Sequence, residues 1–340
     1  MRQLRVGING FGRIGRAITR IASQKGHMSV VALNTSSTTP EQLAYTLQYD
    51  SVYRTFGKKV EAHPDGISIE SKKIKAYSFR DPKEIPWSDH NIDVVIDCTG
   101  VFKDRETLSS HLRGSVQKVI MCQPSKDPSV PHIVLGVNDD TFDFKGIDIM
   151  SNASCTTNCA APMAHILNTE FGIESGFLTT VHAYTSSQSL VDNKADKPTR
   201  GRSAALSIIP TTTGASDAVC LVSGIDESQL GASAVRVPTP VGSLTDMVCL
   251  LRRKTSVEEI NEVFRAYADG TKGGLRGILD YTTVPLVSSD YIGSPFSCTF
   301  DANYTTVVNG NHVKIFGWYD NEWGYSNRIV DVIERLAEVL

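Results

Sequence analysis

Apolar residues in the first 150 positions fall into short β-branched runs separated by amphipathic stretches. Arg5–Asn9, Ser29–Asn34, Val94–Asp97, Lys118–Cys122 and Ile147–Ser151 read as strands, and Arg13–Ala22, Pro40–Leu47 and Arg105–Leu112 as helices. That alternation predicts parallel βαβ units in an open α/β sheet. Beyond Ser151 the texture changes. A helix over Cys155–Phe171 precedes long strand-like runs at Phe177–Ala183, Ala232–Val237, Asp246–Leu251 and Val313–Tyr319, with helices at Gly214–Val222 and Ser256–Ala268. This predicts a second, mostly antiparallel sheet with helices on one face. The domains expected are 1–151 and 152–325. The apolar stripe of the last segment, Ile329, Val330, Val332, Ile333 and Leu336, predicts a helix over 326–340 that packs back on the first domain.

Composition narrows the classes. The 340 residues carry 34 Lys and Arg against 37 Asp and Glu, a net charge of −3, and 41% are hydrophobic, enough for a substantial core. No basic run would steer a nucleic acid. No stretch reaches the roughly 18 apolar residues of a membrane span, and the N-terminus lacks a signal-peptide apolar core, so no membrane or nucleic-acid partner is expected and the location expected is cytoplasmic. The seven cysteines are scattered without a CxxC pair and the eight histidines without HExxH spacing; neither a disulfide framework nor a metal site is expected.

The chemistry concentrates in a few motifs. Gly10-Phe-Gly12-Arg-Ile-Gly15 follows a strand and opens a helix. There the first glycine allows a tight turn, the second lets backbone approach a pyrophosphate, and the third lets helix and strand pack closely. The first domain is therefore expected to be a Rossmann-type, doubly wound dinucleotide binder.

Cys155 lies in Ser151-Asn-Ala-Ser-Cys-Thr-Thr-Asn158 at the expected start of a helix, where amides and the positive dipole end favour a thiolate. Cysteines are more often small buried hydrophobes, which is the expectation for Cys98, Cys159, Cys220, Cys249 and Cys298. His182 closes a strand-like run 27 residues later (182 − 155), so it is a candidate base for Cys155 or else a structural histidine. Three clusters suit a compact anion: Ser154 with Thr156, Thr211-Thr-Thr-Gly214 before a helix, and Arg236.

Together these residues resemble phosphorylating glyceraldehyde-3-phosphate dehydrogenase. The likeness is carried in order by Ile8–Arg16, Ser151–Cys159, His182–Thr185, Ile208–Ala215, Val235–Pro240 and Trp318–Arg328. The resemblance implies a Cys155 nucleophile, a His182 base and a thioester cleaved by inorganic phosphate. It implies Thr185, Ser187 and Arg236 for the substrate phosphate, and Ser154, Thr156, Thr213 and Gly214 for the attacking phosphate. Asn9, Gly10, Gly12, Arg13, Ile14, Gly15, Asn34, Thr35, Thr99, Asn321 and Tyr325 would bind the cofactor, Asn321 and Tyr325 at the nicotinamide. A homotetramer is implied, with Tyr184–Ala205 as an S-shaped loop at a subunit interface. Erythrose-4-phosphate dehydrogenase is the nearest alternative; a Cys/His hydrolase would have no use for the glycine loop.

Two positions depart from the family's pattern. Asn34-Thr35-Ser36-Ser37 stands where Asn-Asp is usual, which removes the carboxylate that would repel a 2′-phosphate, so NADP is expected beside NAD. Met121-Cys-Gln-Pro124 stands where Ser-Ala-Pro is usual.

Overall fold

The computed structural model describes residues 2–340, which fall into two compact units: 2–133, 141–153 and 326–340 in the first, and 134–140 with 154–325 in the second. No helix of the described residues is long and apolar enough to cross a membrane.

The first unit follows the alternation read from its pattern: β1 (Leu4–Asn9), α1 (Arg13–Ala22), β2 (Met28–Asn34) and α2 (Pro40–Gln48). A capping box starts α2: the Thr39 hydroxyl accepts from the Gln42 amide, the Gln42 side chain accepts from the Thr39 amide, and Pro40 presets the first turn. An unanticipated segment follows, β3 (Val60–His63), β4 (Gly66–Ile69) and β5 (Lys72–Tyr77). The chain continues through β6 (Val94–Asp97), a four-residue α3 (Arg105–Leu108) that tightens into a 3-10 turn, β7 (Lys118–Met121) and β8 (Ile149–Ser151).

These eight strands form one sheet in the order β3-β4-β5-β2-β1-β6-β7-β8. From β5 to β8 every pairing is parallel; β3 and β4 add an antiparallel edge. Strand order reverses between β1 and β6, the switch point where open α/β sheets bind ligands at the carboxyl ends of their strands. Asn9, Asn34 and Asp97 end the three strands that meet there.

The second unit begins with α4 (Cys155–Phe171), capped by the Ser154 hydroxyl, which accepts from the Thr157 amide at 3.0 Å. Then come β9 (Ile173–Ala183), β10 (Ile209–Thr211), α5 (Ala215–Ser223), β11 (Leu230–Val237), β12 (Ser243–Leu251), α6 (Val257–Asp269), β13 (Leu279–Thr282), β14 (Cys298–Val308) and β15 (His312–Tyr319). The sheet order is β10-β11-β9-β12-β15-β14-β13. The β11–β9 and β13–β14 pairs are parallel, so the sheet is more mixed than the pattern predicts. The final helix, α7 (Trp323–Val339), buries Ile329, Val330, Val332, Ile333 and Leu336 completely, and the Val330 carbonyl accepts from His27 Nε2 at 3.2 Å.

Candidate active site

In the second unit, Cys155 occupies the first turn of α4, and β9 brings His182 to it: the sulfur lies 3.4 Å from His182 Nε2. His182 Nδ1 contacts the Ala183 carbonyl at 2.6 Å. A carbonyl only accepts, so Nδ1 carries the proton and Nε2 presents its lone pair to the sulfur.

Burial sets the resting charges. It pushes the Cys155 thiol up to about 11, against the opposing pull of the Arg236 guanidinium and the Thr156 amide. It pushes His182 down to about 3, with Arg236 adding to the effect. Desolvation thus opposes the thiolate expected from the helix terminus, and leaves a thiol beside a neutral imidazole that can take its proton.

Register places Arg236 beside this pair, since Arg236 on β11 is paired with His182 on β9. Its Nη1 donates to the Ala183 carbonyl at 3.0 Å and to Thr185 Oγ1 at 3.2 Å, and Thr185 Oγ1 lies 3.0 Å from Ser187 Oγ. Arg236, Thr185 and Ser187 therefore form one cluster, and the buried Arg236 Nε has no partner. Arg200, which sequence reasoning missed, donates through Nε to Thr211 Oγ1 at 3.1 Å, and its charge acts on both His182 and Arg236.

The other anion candidates are placed differently. The Ser154 hydroxyl caps α4, and Thr213 Oγ1 accepts from the Ala215 amide at 3.2 Å at the start of α5. Gly214 leaves that helix without a side-chain cap. Thr156 points its hydroxyl at Tyr319, 3.0 Å away, and Thr180 reaches the same phenol at 2.8 Å. The buried phenol is the second missed residue; its signal was that a buried tyrosine hydroxyl needs a partner. Asn321 accepts through Oδ1 from the Ser243 hydroxyl at 3.0 Å and the Gly242 amide at 3.2 Å, which leaves its amide nitrogen to address a ligand. Tyr325 is buried in the first turn of α7.

In the first unit the glycine loop has the shape its residues predict. Gly10 has φ +95°, and a Cβ there would stand 2.8 Å from the Cys98 and Thr99 backbone. A Cβ on Gly15 would collide with the Gly10 carbonyl oxygen, whereas at Gly12 it would meet open space. No side chain caps α1, so the loop offers amides and room for a pyrophosphate, the fit that a dinucleotide needs. Arg13 is engaged by Asp50 at 2.7 Å and Ile14 is half-buried beside it.

Side-chain hydrogen bonds fix the strand ends around that loop. Asn34 Nδ2 donates to Asn9 Oδ1 at 2.8 Å, and Asn9 Nδ2 donates to Asp97 Oδ2 at 2.8 Å. Thr99 donates through both its amide and its hydroxyl to Asp97 Oδ1. Asn34 also exchanges hydrogen bonds with the Phe79 backbone, while Thr35 spends only its amide, on the Tyr77 carbonyl.

Comparison with known proteins matches a part of each unit to a domain of one family. The family model for the glyceraldehyde 3-phosphate dehydrogenase NAD binding domain matches residues 4–105, and that for the C-terminal domain matches residues 154–321. Glyceraldehyde-3-phosphate dehydrogenase 2 of Streptomyces avermitilis is 45% identical over 330 residues, 97% of each chain. The enzyme numbered 2 of Streptomyces arenae is 46% identical over 99% of each chain, and that numbered 1 of Bacillus cereus is 45% identical over 96% of this chain and 97% of its own.

Proposed function

This chain belongs to the glyceraldehyde-3-phosphate dehydrogenase family, and on that premise we propose that it oxidises and phosphorylates D-glyceraldehyde 3-phosphate to 1,3-bisphosphoglycerate through a thioester on Cys155. The observation that carries the reading is the Cys155–His182 contact beside the Arg236 guanidinium. The first unit is the cofactor domain in this reading and the second the catalytic domain.

His182 Nε2 takes the thiol proton as the sulfur adds to the aldehyde carbon and returns it to the former carbonyl oxygen, giving a hemithioacetal with the imidazole neutral again. Its basicity then serves the hemithioacetal hydroxyl, whose deprotonation drives the oxidation to thioester. The bound nicotinamide dinucleotide supplies the hydride acceptor for that oxidation. The amide of Cys155, at the start of α4, stabilises an oxyanion on the former carbonyl oxygen in this reading. Arg236, Thr185 and Ser187 hold the substrate's phosphate; Ser154, Thr156, Thr213 and Gly214 receive the attacking phosphate through hydroxyls and helix-start amides. Asn321 and Tyr325 are assigned to the nicotinamide on the family likeness. Asn9, Gly10, Gly12, Arg13, Ile14, Gly15, Asn34, Thr35 and Thr99 form the dinucleotide cradle.

NAD follows from the family domain; use of NADP is supported by the end of β2. Thr39 alone caps α2, so Ser36 and Ser37, both exposed, keep hydroxyls that make no hydrogen bond among the described residues. Arg80 follows Phe79, which Asn34 fixes, and its exposed guanidinium makes no ion pair there.

A homotetramer is supported by exposed apolar side chains. The loop Tyr184–Ala205 is braced internally by the Asn193 amide on the Gly201 carbonyl and by the Arg202–Asp192 ion pair. Leu190, Val191, Leu206 and Ile208 in and beside it, with Phe177 and Val248 paired on the sheet, stay largely exposed. All seven cysteines are free, which fits the reducing cytoplasm. Steady-state turnover of glyceraldehyde 3-phosphate with inorganic phosphate and either cofactor tests the reading. Cys155→Ser should abolish it while dinucleotide binding persists, and a variant that keeps more than a few per cent of activity would sink the thioester route.

A further inference from the structure

Cys98 and Cys122 follow the last paired residues of β6 and β7, Asp97 and Met121, which are partners in a parallel ladder. Their sulfurs stand 3.4 Å apart, and both residues are partly exposed rather than packed in the core. That corrects the expectation of Cys98 as a buried hydrophobe. Neighbouring strands run about 4.8 Å apart, at the short end of the backbone separation that a disulfide spans, so side-chain rotation with a small adjustment of the strand ends brings the sulfurs into bonding distance. We propose that Cys98 and Cys122 form a reversible disulfide on exposure to peroxide, an oxidation site separate from Cys155.

Desolvation of its sulfur and the neighbouring Cys98 sulfur push the Cys122 thiol well up, and either sulfur can donate in the contact. One of the two sulfurs, as its thiolate, attacks one peroxide oxygen and breaks the O–O bond, giving a sulfenic acid and hydroxide. The other sulfur then attacks the sulfenic sulfur, the S–S bond forms, and the sulfenic oxygen leaves as water. Two thiols and one peroxide become one disulfide and two waters, with two electrons passing to the peroxide. A dithiol returns the electrons by exchange.

The consequence falls on the glycine loop and rests on the dinucleotide reading above. Because the Gly10 backbone lies directly against Cys98 and Thr99, any displacement of Cys98 toward Cys122 moves the wall on which the loop turns. Oxidation therefore weakens dinucleotide binding while leaving the Cys155–His182 contact in the second unit untouched.

The experiment uses the full chain in a Cys155→Ser background, so that peroxide cannot spend itself on the nucleophile. One equivalent of hydrogen peroxide should remove two free thiols, lower the intact mass by the two hydrogens lost, and link the tryptic peptides bearing Cys98 and Cys122. Direct NAD titration should then show binding weaker by about tenfold, restored by dithiothreitol. Cys98→Ser and Cys122→Ser should each remove the link and the peroxide sensitivity. Absence of the linked peptide, or sulfinic acid in its place, overturns the proposal. A linked peptide with unchanged NAD affinity overturns the coupling to the loop. Failure of the reduced protein to bind NAD at all would instead fault the dinucleotide reading, while the peptide map still decides the disulfide.

Discussion

The Tyr319 phenol joins Thr180 on β9 to Thr156 on α4, so the strand that carries His182 and the helix that carries Cys155 are tied through one hydroxyl. All three groups are buried. Burial pushes the phenol's pKa well up, so the hydroxyl keeps its proton, donates to one threonine and accepts from the other.

Tyr319→Phe should therefore act on both stability and rate. Two buried hydroxyls lose a partner, which costs about 1–3 kcal/mol in urea unfolding. Loss of the tie also loosens the Cys155–His182 distance, and turnover should fall by up to about 10²-fold with the dinucleotide KM unchanged. A KM effect without a kcat effect would contradict this assignment.

Acid stability should follow the buried histidines. His182 is depressed to about 3, and desolvation lowers His132 and His165 as well. The unfolded chain takes up protons at these sites from about pH 6.5 downward, while folded His182 resists until pH falls to about 3. The stability that neutral His182 contributes is complete above the unfolded value and drains away as pH drops through that window. In His182→Asn the slope of unfolding free energy against pH should be shallower between those limits. Equal slopes would mean that His182 is protonated in the native protein.

Arg236 acts on the thiol and on the substrate, and the two effects separate experimentally. It pulls the Cys155 pKa down, so Arg236→Gln should shift the pH profile of iodoacetamide alkylation upward and slow the reaction at neutral pH by about tenfold or more. In Arg236→Lys a point charge replaces the planar fork, and losses should be far larger with the phosphorylated aldehyde than with glyceraldehyde. Equal losses on the two substrates would remove Arg236 from the phosphate site.

Position 35 is where cofactor choice can be tested. Thr35→Asp introduces a carboxylate at the end of β2, so on the proposed cradle the efficiency with NADP should fall while that with NAD holds or rises. Arg80→Ala should move the ratio in the same direction. An unchanged NADP-to-NAD ratio in both variants would place the preference elsewhere.

Local signals made much of this molecule legible. The bounds of α1 and α4 coincide with those read from sequence, because a glycine loop starts one and Ser154 caps the other. The strands β3, β4 and β5 went unread: they are short, β3 and β5 mix charged with apolar positions, and only β5 pairs with β2, with β4 and then β3 added onto it in turn. β14 was missed because its alternation breaks at the irregularity between Asp301 and Thr306. In the site, Cys155 and His182 announced themselves through neighbours in the chain. Tyr319 did not, since its partners lie 139 and 163 residues away, and the thiol's protonation depends on burial that no local motif encodes.

The chain of amides from Asn34 through Asn9 to Asp97 spends Asn34's side chain on the loop's support and leaves Thr35's side chain outside it. A substitution at 35 therefore leaves that support intact, so on the proposed cradle the choice between dinucleotides is separable from the means of holding either one.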